Sequence, residues 1–258
     1  MRVMMRCRQL LFSSLLLACL FPLAANAEST RTLVIIIDDI GNHLASGVRA
    51  VELPGKLNLA ILPHTPVSVE LARRAVAAGK EVLLHTPMST LQQLALGPGA
   101  LTADMSQQQL RAALIADLDS TPHVRGISNH MGSQLTRMRE PMEWVMEELA
   151  GRNLYFVDSR TSTGSLAALI ASEYGIPNIS RQIFLDNEAD TLAIHERFLQ
   201  LLARADNEGI GVAIGHPYPE TLDYLQAVLP TLAAAGYRLA LISEVLAEAN
   251  QLSQRITD

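Results

Sequence analysis

"LVIIIDDIGN", residues 33–42, decides the architecture. Five apolar, mostly β-branched residues without polar alternation describe a strand covered on both faces, the pattern of a parallel sheet. That strand ends in Asp38 and Asp39. Two adjacent carboxylates at a buried strand end are costly unless something balances them. Parallel strands also present their chemistry at their carboxyl ends.

Working outward, similar apolar runs recur at 57–62, 81–85, 124–127, 154–158, 178–181, 210–214 and 237–241. The stretches between them, such as "VSVELARRAVAAG", "SQQQLRAALIADL", "PMEWVMEELAGR" and "EADTLAIHERFLQLLARAD", have helical spacing. Several close on a glycine stop, at Gly79, Gly151, Gly175 and Gly236. Seven or eight β-α alternations predict an α/β fold, a parallel sheet with helices outside it, closed as a barrel or left open. "LQQLALGPGALTADMS", 91–106, is too rich in Gly and Pro for a helix and is expected to arch over one face.

The chain has 258 residues, 49% hydrophobic and 18% charged, enough for a sizeable core. No repeat, low-complexity tract or long linker divides it, so residues 28–258 are expected to form a single domain. Residues 1–27 read as a secretory signal peptide: Arg2, Arg6 and Arg8 precede a short apolar stretch that ends at Ala25-Asn26-Ala27. Cleavage there removes both cysteines, Cys7 and Cys19, and leaves a protein without disulfide or thiolate. A rival cut before Cys19, after Leu-Leu-Ala, would give a lipid anchor, but Leu17 directly before Ala18 fits that signal poorly. The expected location is periplasmic, with no transmembrane segment after cleavage. The signal carries three of the 20 basic residues and none of the 26 acidic ones, so the processed chain has a net charge of −9. Such a charge argues against nucleic acid or an anionic membrane as partner.

The polar residues gather at the strand ends: Asp38-Asp39, His85-Thr86-Pro87, Ser128-Asn129-His130, Asp158-Ser159-Arg160 and Gly215-His216-Pro217. In a β/α barrel these ends meet at one mouth. One Asp and two His can bind Zn²⁺ or a related divalent ion with a position left open for water, and that cation would balance the carboxylates. The second Asp would serve as general base and His216 would protonate a leaving group. Each piece alone also fits a structural role. Asp-Asp can cap or turn, the His of "LLHTPM" can be a satisfied core residue, "NHMGS" can be a glycine turn, "GHPYPE" can lead into a helix, and Asp158 can pair with Arg160. His43 stands close behind the Asp pair and can touch a ligand, whereas His64, His123 and His195 fall on two loops and a helix, where solvated roles are expected.

"VIIIDDIGN", "GKEVLLHTPM", "GISNHMGS", "YFVDSRT" and "VAIGHPYPET", in that order, resemble the divergent polysaccharide deacetylase family, a branch of the NodB-type carbohydrate esterases. The resemblance spans about residues 31 to 247 and implies a single-domain distorted (β/α) barrel of seven or eight mainly parallel strands. In that superfamily the first Asp of the pair is the base and the second a metal ligand, which falls on Asp38 and Asp39. The His-Ser/Thr-x-x-His motif matches at His85 and Thr86, but Ser89 stands where the second His belongs, and His130 from a neighbouring strand is the candidate replacement. The Arg-x-Pro-Tyr motif is not recognisable, and His216 falls where the late, acid-bearing His is found.

The implied function is a secreted, metal-dependent hydrolase that takes acyl groups off an N-acetylated envelope polysaccharide or peptidoglycan-type glycan, with a divalent cofactor of the Zn²⁺ type. Asp39, His85 and His130 would hold the metal, Asp38 and His216 would be the catalytic base and acid, and Asn129, Ser133 and Arg160 would orient the sugar. Two other readings stand beside it: a non-catalytic glycan-binding or envelope scaffold that keeps the barrel, and a glycoside hydrolase using Asp38 or Asp39 with Asp158.

Overall fold

Leu33 to Ile37 are wholly buried, as a strand covered on both faces requires, and they form the centre of β1 (Arg31–Ile40). The computed structural model describes residues 31–257. After β1 the chain alternates through α1 (Leu44–Glu52), β2 (Asn58–Ile61), α2 (Ser68–Ala77), β3 (Glu81–Met88), α3 (Gln107–Ser120) and β4 (Val124–Met131). It continues with α4 (Arg139–Ala150), β5 (Tyr155–Asp158), α5 (Ala167–Glu173), β6 (Asn178–Ser180), β7 (Ile183–Phe184) and α6 (Thr191–Glu208). The last elements are β8 (Ile210–Gly215), α7 (Pro219–Val228), β9 (Tyr237–Leu239) and α8 (Ile242–Thr257). The expected signal peptide, 1–27, and the alternative anchor at Cys19 lie outside the described residues.

The sheet runs β6-β5-β4-β3-β2-β1-β8-β7, with β9 beside the start of β1, and all of these pairings are parallel. It curls without closing by strand pairing. Between β6 and β7 the backbone of Arg181 donates to Asp158 O (3.0 Å) and that of Gln182 to Val212 O (3.0 Å), which draws the edges together. The result is the distorted parallel barrel expected. Among the described residues, eight of the nine strands coincide with the apolar runs of the sequence; the exception is the two-residue β7.

Two apolar layers separate the sheet from its outer helices, and a third cluster fills the barrel interior. Inward residues include Val34 and Ile36 of β1, Leu83 of β3, Val157 of β5, and Val212 and Ile214 of β8. Ile242 at the start of α8 joins them and plugs the end opposite the mouth, where its backbone N–H donates to the buried Asn58 Oδ1 (3.0 Å). The 91–106 segment is irregular as expected, tied to the end of β3 by Leu101 N to Pro87 O (2.8 Å) and Ser89 N to Leu101 O (3.0 Å). It ends at Ser106, which caps α3 with a reciprocal bond pair to Gln109. Gly79, Gly175 and Gly236 take left-handed φ angles as stops, but Gly151 stays right-handed at φ −69°.

Candidate metal centre

Strand alternation carries the interior apolar residues upward into polar ones. Val34 and Ile36 are followed on the same face of β1 by Asp38, Leu83 on β3 by His85, and Val212 and Ile214 on β8 by His216. On β4, Ile127 packs outward, so Ser128 and His130 belong to the inward set. Strict alternation would send Asp39 outward. Its left-handed backbone, φ 59°, breaks the period and brings a second carboxylate to the same mouth.

Asp39 Oδ1, His85 Nε2 and His130 Nδ1 form a tight triangle. Asp39 Oδ1 lies 3.2 Å from His85 Nε2 and 2.8 Å from His130 Nδ1, and the two imidazole nitrogens are 3.3 Å apart. A tetrahedral ion with ligand bonds of about 2.0–2.1 Å sets its donors about 3.3 Å apart. Despite its closeness to both rings, Asp39 Oδ1 is buried with no aligned hydrogen-bond partner, so the lone pairs converge on a common point between them. Asp38, 2% exposed, stands beside the triangle with Oδ2 3.4 Å from His85 Nε2 and Oδ1 unpartnered. The donor set, its spacing and its orphaned oxygens fit a divalent ion. Behind the triangle, Ser128 Oγ lies 2.7 Å from His85 Nδ1 and fixes the ring so that Nε2 faces the mouth.

The two carboxylates are driven apart. Burial pushes the Asp38 carboxyl up, against the opposing charges of His85 and His216. Burial also acts to raise Asp39, but His130 and His85 outweigh it and hold that carboxyl below the usual carboxylate range.

Across β1 from the imidazoles, His216 is oriented by a residue the sequence reading missed. Asp186, wholly buried, sits 2.9 Å from His216 Nδ1 through Oδ1, while its Oδ2 accepts from His216 N (2.6 Å) and Thr221 Oγ1 (2.7 Å). Burial alone would lower the imidazole, but Asp186, aided by Asp38 and Asp39, raises it to about 9. The ring stacks on Phe184 (centroids 6.1 Å) and lies beside Tyr218 (5.5 Å). No pattern marked Asp186, because the strand before it has only two residues.

A profile of the divergent polysaccharide deacetylases matches residues 35–246, and so contains the whole mouth. The chain belongs to the divergent polysaccharide deacetylase family. It is 33% identical over 225 residues to the uncharacterized protein YibQ of Escherichia coli (strain K12), covering 87% of this chain and 69% of that protein. Among solved structures, protein ATU2773 of Agrobacterium tumefaciens C58 superposes with a TM-score of 0.79 at 19% identity, over 83% of this chain and 88% of that one. The catalytic domain of a peptidoglycan N-acetylglucosamine deacetylase from Eubacterium rectale ATCC 33656 shares the fold at a TM-score of 0.51 and 12% identity, over 82% and 88% of the chains.

In this family member the other predicted residues divide. Ser89, in place of the superfamily's second His, is buried just past β3 and outside the converging set, whereas His130 stands in that set from β4. Asn129 is wholly buried, its amide donating to Met131 O (2.7 Å) and its carbonyl accepting from Ser159 N (2.9 Å). It therefore braces the β4 and β5 loops, and a sugar cannot reach it without opening them. Ser133 Oγ accepts from Leu91 N (3.2 Å) at the root of the arch. Arg160 is exposed at φ 51°. Asp158 does not form the side-chain ion pair with Arg160 considered above: its oxygens accept from Arg160 N (2.8 Å) and Ser165 Oγ (2.8 Å), and the residue is wholly buried on the outward face of β5. That placement removes the second acid of a glycoside hydrolase. His64 is exposed on its loop and lies 2.9 Å from the buried carboxylate of Asp117.

Arg181 was likewise missed. Its guanidinium donates to Ser159 O (2.6 Å) and Arg160 O (2.7 Å) and lies 3.7 Å over the Phe184 ring, pinning the β5 loop across the barrel seam. A larger cavity, about 870 Å³ and lined by Arg31, Lys56 and Tyr237, opens at the other end of the barrel, away from every residue of the mouth. No helix among the described residues is long and apolar enough to cross a membrane.

Proposed function

We propose that this chain is a metal-dependent amide hydrolase that removes an acyl group from an N-acylated sugar of a cell-envelope glycan. One observation carries the reading: Asp39, His85 and His130 converge on a point beside the buried carboxylate of Asp38, with an Asp186-held imidazole at β8 across the mouth. Membership of the deacetylase family and the fold shared with a peptidoglycan N-acetylglucosamine deacetylase support the substrate class.

In this reading Asp39, His85 and His130 hold the ion. When bound, a divalent ion at such a site supplies Lewis-acid polarisation of the acyl carbonyl and a water nucleophile at neutral pH. Asp38 takes a proton from the attacking water as the new carbon–oxygen bond forms. His216, kept protonated by Asp186, gives a proton to the departing nitrogen as the carbon–nitrogen bond breaks. The products are a carboxylate and a free amine. Secretion to the periplasm, as the leader suggests, brings such an enzyme to its glycan.

Elemental analysis of the purified chain, beside His85→Ala and His130→Ala, tests the ligand set. The expected result is about one equivalent of Zn²⁺ or a similar ion in the native chain and none in either variant. Acetate release from N-acetylated envelope glycans then tests the reaction. A chain that holds no divalent ion after incubation with several would overturn the hydrolase and leave a glycan-binding barrel.

A further inference from the structure

The mouth has two unlike sides. On the β8 side, His216 lies between the rings of Phe184 and Tyr218. On the other side, a cavity of about 240 Å³ opens from Asp39 and His130 and runs beneath the 91–106 arch. Its walls are Leu62, Pro63, Pro87, Ala95, Leu96 and Pro98. Beyond His130 no aromatic ring lines it; of its two further polar neighbours, Asn42 stands at the exposed rim and Thr65 already donates its hydroxyl to Leu62 O (2.9 Å).

We infer that this cavity receives the acyl chain of the substrate and that it selects chains longer than acetyl. The inference rests on the hydrolase reading above, which fixes the orientation. The departing nitrogen must face the proton donor His216, and that nitrogen carries the sugar. The substituent on the other side of the carbonyl carbon therefore points away from β8, toward β2, β3 and the arch, where the cavity lies. A sugar ring buried against Leu62, Pro63, Pro87, Leu96 and Pro98 would find few partners for its several hydroxyls beyond Asn42, which is unfavourable. An alkyl chain has no hydroxyls to satisfy and sheds water from the six apolar walls.

Size separates acetyl from longer acyl groups. A cavity of about 150 Å³ holds benzene, so 240 Å³ takes a chain of roughly four to six carbons, whereas a lone methyl would leave most of it to water. The arch contributes Ala95, Leu96 and Pro98, so acyl selection is built largely by the longest irregular segment over the mouth.

The test is calorimetric titration of the Zn²⁺-loaded chain with acetate and with hexanoate, the two carboxylate products, repeated on Leu96→Trp and Ala95→Phe. Each fully buried methylene raises affinity about fourfold, so four of them in a half-open cavity should make hexanoate at least about tenfold tighter than acetate. Both variants, on the exposed arch, should bring hexanoate down toward acetate. Equal binding, no binding of hexanoate, or a preference that survives both substitutions would overturn the acyl cavity.

Rates on N-acetyl and N-hexanoyl glucosamine oligomers separate this inference from the one beneath it. Cleavage of the acetyl oligomer alone would uphold the hydrolase and sink the longer acyl chain. Retained hexanoate preference with neither oligomer cleaved would uphold the cavity and sink the hydrolase. A KM raised equally for both oligomers in Leu96→Trp would place a sugar ring in the cavity and overturn the inference.

Discussion

Asp39 occupies the left-handed region at φ 59°, a conformation that costs a non-glycine residue about 1–2 kcal/mol. The strain is informative, because without it the two adjacent carboxylates would face opposite sides of β1. Once both reach the mouth, their environments give them different tasks, with Asp38 buried beside the triangle and Asp39 inside it. Asp38→Asn should leave the metal content unchanged and lower kcat/KM by about 10²–10⁴, the range of a lost general base. Asp39→Ala should lose the metal itself. Elemental analysis paired with kinetics distinguishes the two, and an Asp38→Asn chain of native activity would assign the base elsewhere. At His216 the direction is fixed by Asp186. The folded value, about 9, lies above the ordinary 6.5. The pair's stabilisation is therefore complete below about pH 6.5 and lost as the pH rises through about 9. The alkaline limb of kcat/KM should likewise fall near 9 in the native chain and near or below the ordinary 6.5 in Asp186→Asn. An NMR titration of the His216 ring reads this directly, and an imidazole that still titrates near 9 in the variant would remove Asp186 as the cause.

At the scale of elements, Gly99 shows how the arch is held. It takes φ +75°, and a Cβ there would lie 2.1 Å from Asp117 Oδ1, the carboxylate that also meets His64. Asp117 is wholly buried on α3, so the arch rests on a surface that does not yield. Gly99→Ala combines a left-handed penalty of about 1 kcal/mol with that clash, so a loss of about 2–3 kcal/mol is expected. In a domain of this size the thermal midpoint should fall by roughly 5–10 °C, or the arch should detach with the midpoint unchanged. Scanning calorimetry beside limited proteolysis within 91–101 separates these, and neither effect would show that Gly99 is not what seats the arch. Legibility in the sequence follows the same line. β1, β3 and β8 could be read because each is a continuous apolar run that ends in a polar cluster. β7 has two residues and no period, so Asp186 behind it stayed invisible. The brace made by Asn129 was also hidden, because a buried amide and a sugar-binding amide look alike until their partners are known.

For the whole molecule, an ion at the proposed centre would act as a clasp. Its three candidate ligands come from β1, β3 and β4, and β2 separates the first from the other two in the sheet. An ion held there ties strands that the barrel otherwise joins only through pairing and packing. Without it, the unpartnered oxygens of Asp38 and Asp39 remain buried. The seam between β6 and β7, held by two backbone bonds and the Arg181 guanidinium instead of strand pairing, makes this clasp matter more than it would in a fully paired barrel. An ion present at 100 times its Kd stabilises the native state by about 2.7 kcal/mol, which in a chain of this length is roughly 5–10 °C in the thermal midpoint. Chelation should therefore lower the midpoint by that amount, and restoring Zn²⁺ should recover it. His85→Ala and His130→Ala should each start near the chelated value and gain nothing from added ion. Identical midpoints with and without chelator in the native chain would mean that the triangle is held by its protein contacts alone, and that no ion is part of the fold.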